Sequence, residues 1–162
     1  MDRALGVTFQ GQQTAAWCWA AVASMVSGWY SQSGGRSLTQ CEVAATTLGL
    51  PSCCSSSSID PNCVRLWGVD DALFKTGHYA GAGTSGDLNT VIGQINANCP
   101  LAALIRYPGI LHCVLVTGYS DTQQLIVVCD PAGGQPFSTP VGAFFSNYNN
   151  GGLWGGWYFT KA

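Results

Sequence analysis

The chain has 162 residues, the size of a single domain, and 47% of them are hydrophobic, so it can bury a core without staples. Only 9% are Asp, Glu, Lys or Arg and the net charge is −2, so there is no basic stripe for nucleic acid. The longest apolar run is far too short to cross a bilayer, and Met1-Asp2-Arg3-Ala4 lacks the basic-then-apolar build of a signal peptide.

Residues 18 to 30, CWAAVASMVSGWY, are Ala-rich and apolar on nearly every face. That pattern predicts a buried central helix, with Thr14 before it as a possible N-cap. Gly34-Gly35 ends the region. Thr39 to Leu48 reads as a second helix, with Thr39 and Glu42 placed for a capping box. Four of the eight cysteines, Cys41, Cys53, Cys54 and Cys63, fall between 41 and 63, a segment that also carries Ser55 to Ser58. Such a loop cannot hold itself by apolar burial. Disulfides among these four would hold it, and would imply an oxidising compartment. Zinc is the rival reading, but Cys53-Cys54 is a neighbour pair rather than a gapped knuckle. Disulfides are therefore expected, with three pairings open, and no metal is expected.

Asn62 to Thr76 reads as a third helix, closed by Gly77. Gly81 to Gly86 reads as a flexible connection, and Ser85 to Asn98 as a further helix. After Pro100 the texture turns to strands: LAALIRY, HCVLVTGY and QLIVVCD, with a turn at Ser120-Asp121-Thr122. The tail, LWGGWYFTKA, reads as a last strand. Helices first and an antiparallel sheet afterwards predict an α+β fold. One domain is expected over residues 1–162, with a helical subregion at about 12–98 and a sheet subregion at about 100–162. Trp17, Trp19, Trp154 and Trp157 are read as packing residues.

Cys18 opens a helix, where free backbone N–H groups and the helix dipole favour negative charge. A thiol so placed shifts toward its reactive thiolate. Gln12, six residues earlier, is the candidate amide donor to an oxyanion. A thiolate needs a general base. His112, at the start of an apolar strand, is the better of the two histidines, since His78 sits in a loop without a partner. Asp130, at the end of the next strand, is the candidate acceptor that orients it. If residues 112–119 and 124–130 form a hairpin, the two must share a face, as in a register that pairs 112 with 130 around a three-residue loop centred on Asp121. The same register puts Cys113 and Cys129 together on the core-facing side.

The stretch Gln12-Gln13-Thr14-Ala15-Ala16-Trp17-Cys18-Trp19-Ala20-Ala21 resembles the nucleophile motif of papain-like cysteine peptidases. The closer resemblance is to a short bacterial branch that includes the avirulence-type effector proteases of plant pathogens. Gln40-Cys41-Glu42, Cys53-Cys54, Cys63, His112 and Cys129-Asp130-Pro131 follow in the same order. Leu111 stands before His112, where such proteases commonly have Gly. The resemblance implies a papain-like fold, with a nucleophile helix packed on an antiparallel sheet. It implies Cys18 as nucleophile, His112 as base, Asp130 as orienter and Gln12 as oxyanion donor, with no cofactor.

The expected activity is peptide-bond hydrolysis through an acyl-enzyme. The same residues would serve an amidase, a deamidase or a transglutaminase, and a non-catalytic exported binding domain is the third reading. The expected setting is an exported bacterial effector or toxin, acting as a monomer on a protein or peptide. A dedicated inhibitor or immunity protein is a possible further partner.

Overall fold

A computed structural model describes residues 2–162. The elements in chain order are β1 (Asp2–Ala4), α1 (Cys18–Ser31), α2 (Gln40–Leu48), a 3-10 turn at Pro61–Cys63, α3 (Val69–Lys75), β2 (Tyr79–Gly83), α4 (Leu88–Asn96), β3 (Leu101–Tyr107), β4 (Ile110–Ser120), β5 (Leu125–Cys129), β6 (Phe137–Pro140), α5 (Val141–Ser146) and β7 (Leu153–Thr160). The strands form one antiparallel sheet in the order β2-β7-β3-β4-β5-β6. Strand β1 pairs with the last residues of β4. It can lie there because residue 118 is glycine, since a Cβ would stand 2.7 Å from the Arg3 carbonyl oxygen.

Sheet residues alternate between two cores. Ala102, Cys113, Leu115 and Cys129 pack with α1, α2 and α3. Leu101, Ala103, Ile105, Val114, Val116, Ile126 and Val128 pack with Val91 and Ile95 of α4 and Phe144 of α5. Burial on both faces explains why these strands read as continuous apolar runs rather than as alternating ones. Helix α4, in the helical subregion expected over about 12–98, lies on the opposite face of the sheet from α1.

Helix α1 is buried along nearly its whole length, as its all-round apolar pattern predicts. Its N-cap is Trp17 rather than Thr14, and no side chain caps it. Thr14 serves the preceding turn instead, where its hydroxyl accepts from Ala16 N at 3.3 Å. Helix α2 has the expected capping box: Thr39 accepts from Glu42 N, and Glu42 accepts in return from Thr39 N.

Three further expectations fail for physical reasons. The helix expected over 62–76 begins only at Val69, with Gly68 as its N-cap. The carbonyls of Cys63 and Arg65 are drawn off to the Trp17 and Trp19 indoles, at 2.8 and 3.0 Å, and are lost to a helical ladder. Its end is as expected, with Gly77 at φ +86° and His78 N bonded to Leu73 O. Of the connection expected over 81–86, residues 81–83 belong instead to strand β2, which pairs with β7. Finally, the β4–β5 loop holds four residues, since Ser120 faces Leu125. A bulge near Thr117 shifts the register by one, so that Leu115 faces Cys129. Continued along the strands, Asp130 falls opposite Val114. His112 and Asp130 are therefore diagonal neighbours on one face, not a direct pair. Cys113 and Cys129 are offset in the same way, and both are free thiols.

The cysteine-rich loop carries two disulfides, Cys41–Cys54 and Cys53–Cys63. Replacing Cys53 and Cys63 by Ser is expected to lower the unfolding free energy by about 2–4 kcal/mol. Urea midpoints of the variant and the parent, both under non-reducing conditions, check this.

Candidate active site

Cys18 is the first residue of α1 and is 6% exposed. Because that helix end has no side-chain cap, its N–H groups remain free to favour a thiolate. Hydrogen bonding from Cys113 is the largest influence on the Cys18 thiol. Burial opposes it, and the hydrogen bond and charge of His112 add to it. The net effect lowers the thiol to about 5.

His112 stands on β4 and Asp130 directly follows β5. His112 Nε2 lies 2.7 Å from Asp130 Oδ1. An ionised carboxylate can only accept, so Nε2 carries the proton and Nδ1 is the ring nitrogen left for Cys18. Burial pulls the imidazole toward its neutral form. The hydrogen bonds and charges of Asp130 and Cys18 outweigh this and raise it to about 9. Burial also pushes the Asp130 carboxyl up, but hydrogen bonds from His112, Tyr148 and Ala132 N, with the His112 charge, hold it below its ordinary value. Between these limits the favoured pair is thiolate and imidazolium.

Gln12 sits beside this cluster through its backbone, whose N–H bonds to Pro131 O at 2.9 Å. One N–H of its amide donates to Thr14 O at 2.9 Å, which leaves the second available to another acceptor. The buried Gln40 fixes this loop by donating to Gly11 O at 2.8 Å and accepting from Gln13 N at 3.0 Å. Thus Cys18, His112 and Asp130 meet. Gln12 reaches the same end of the sheet but not the lining of the cleft.

That cleft is a cavity of about 540 Å³ with Cys18, His112 and Cys113 in its lining. Leu66, Trp67 and Val69 contribute from the loop and start of α3, and Leu104, Leu111 and Tyr158 from the sheet. Trp17 and Trp19, on either side of Cys18, grip the loop that leads to Leu66. The Cys53–Cys63 disulfide ties down its other end. Sequence reading missed two features. Leu66 and Trp67 fall within the helix expected over 62–76, whereas Gly68 marks a break there. Cys113 reads as a core-facing thiol, and nothing in its spacing shows its nearness to Cys18.

A buried thiol with an imidazole–carboxylate pair in an apolar cleft is the arrangement of a cysteine peptidase. A family model described as papain-like cysteine protease AvrRpt2 matches residues 2–149. The chain belongs to this family and is a cysteine peptidase. Solved structures agree on the fold. A C39-like peptidase from Bacillus anthracis superposes with a TM-score of 0.59 at 14% identity, over 86% of this chain and 88% of that one. No curated protein sequence matches the chain.

The thiolate–imidazolium window gives a test. Iodoacetamide alkylation of Cys18 is expected to rise with a midpoint near pH 5, where the thiol ionises. In Cys113→Ala the largest stabilising influence on the thiolate is gone, so the midpoint should move to higher pH. An unmoved midpoint would mean that Cys113 does not act on Cys18.

Proposed function

We propose that the chain is an exported thiol endopeptidase in which Cys18 attacks the scissile carbonyl. The observation that carries this reading is the Cys18 thiol at a bare helix start, in one cleft with an imidazole that Asp130 holds by its far nitrogen. Thiolate attack forms the carbon–sulfur bond and places negative charge on the carbonyl oxygen. The Cys18 backbone N–H and the free amide N–H of Gln12 are the donors for that oxyanion. The imidazolium of His112 gives its proton to the departing amine, and the carbon–nitrogen bond breaks. His112, now neutral, takes a proton from water as the water attacks the thioester. The acid product leaves and the thiolate is restored. Each step needs only a proton, a thiolate and water, so no cofactor is required.

The apolar cleft favours peptide over more polar acyl donors. Leu66 and Leu111 at its rim are 61% and 58% exposed, and Trp67 is 44% exposed. Exposed apolar groups gathered around a thiol suit a substrate with apolar side chains beside the scissile bond. Two disulfides in a short loop, with a surface nearly without charge, support a life outside a reducing cytoplasm. That setting, with the family, favours an effector or toxin directed at another cell's proteins.

Cys18→Ala is expected to fold as the parent does and to lose peptide cleavage, checked by mass spectrometry of a digested unfolded protein. Cleavage at the parent rate would refute the assignment. Gln12→Ala is expected to lower kcat by about a hundredfold with little change in KM. Steady-state kinetics on a fluorogenic peptide measures this.

A further inference from the structure

Asp130 is 3% exposed, and its two oxygens have different donors. Oδ1 accepts from His112 Nε2 at 2.7 Å and from Ala132 N at 2.9 Å. Oδ2 accepts from the Tyr148 hydroxyl at 2.8 Å, with Asn149 Nδ2 further off at 3.5 Å. Tyr148 is itself 1% exposed. A buried carboxylate oxygen without a donor is costly, and so is a buried phenol without an acceptor. Each group therefore fixes the other.

Resting on the Cys18–His112–Asp130 reading above, we infer that Tyr148 is a positioning residue of the reaction. Its hydroxyl sets the rotation of the Asp130 carboxylate, so that Oδ1 faces His112 Nε2 and the ring's Nδ1 is turned toward Cys18. Without it, Oδ2 keeps only the long contact from Asn149. The carboxylate would then turn to share its other donors, and the imidazole would turn with it.

The protein holds Tyr148 firmly enough for this role. Its backbone forms a two-way bridge with Gly152, with both hydrogen bonds at 2.8 Å. Its ring meets Phe144 edge-on at 5.6 Å between centroids and leans on Phe137 at 6.2 Å. The Tyr107 hydroxyl donates to its carbonyl at 3.2 Å. Burial first, then the Asp130 charge, push the phenol far above its ordinary value. It therefore remains a donor at every pH where the site works. The segment from β6 to the 148–152 bridge thus belongs to the working parts of the site, although it lies beyond the nucleophile and histidine motifs.

Tyr148→Phe removes one oxygen and keeps the ring. It is expected to fold, to lose about tenfold in kcat at nearly constant KM, and to titrate His112 at lower pH than the parent by NMR. The control Phe144→Leu loosens the packing and leaves the hydroxyl, so it should lower Tm without moving the His112 titration. In an Asp130→Ala background, adding Tyr148→Phe should change kcat little, since Tyr148 acts through Asp130. Parental kcat and parental His112 titration in Tyr148→Phe would overturn the inference. The titration needs no turnover, so retained cleavage by Cys18→Ala would refute the peptidase assignment and leave this result standing. If the Phe variant does not fold, the parent's Tyr148 hydroxyl proton is read at low field instead. It should shift as His112 titrates, and a resonance that stays still would overturn the inference.

Discussion

The hydrogen bond from His112 Nε2 to Asp130 Oδ1, 2.7 Å long, joins β4 to the residue that follows β5. It selects the tautomer of the histidine and leaves Nδ1 for the thiol. It also keeps an imidazolium stable where burial alone would strip its proton. The thiolate at Cys18 depends in turn on that positive charge, on the Cys113 side chain and on the open end of α1. Take away the His112–Asp130 contact, and the charge pattern of the cleft has no anchor.

The sheet exists in the form that this contact needs. A direct pairing of 112 with 130 would have put the two side chains opposite each other. The four-residue loop and the bulge near Thr117 together make them diagonal neighbours, close enough for a short hydrogen bond on one face. The same arrangement sends Cys113 to the other face, toward α1. Loop length and bulge together therefore bring an imidazole, a carboxylate and a second thiol to the Cys18 end of the sheet.

Much of this was legible from residues alone, where local chemistry decides the outcome. The Thr39–Glu42 box, the Gly77 stop and the all-apolar helix α1 each rest on contacts a few residues apart. The shared face of His112 and Asp130 follows from parity, which survives a bulge and a longer loop together because their combined shift is even. What was not legible depends on distant partners. The helix expected over 62–76 lost its first turns to two indoles more than forty residues away. Strand β2 needs β7 as its partner, and its Gly-Ala-Gly run hides it. Tyr148 gave no signal, because its neighbour Asp130 is eighteen positions away and phenols in loops are ordinary. Gln12 was picked out by spacing, and the structure adds the buried Gln40 that holds its loop.

The most direct test is active-site titration with a peptidyl epoxide, followed by peptide mapping. One adduct per chain on Cys18, formed far more slowly in His112→Ala, is the result this account predicts. Adducts spread over Cys99, Cys113 and Cys129, or a Cys18 rate unchanged in His112→Ala, would contradict it.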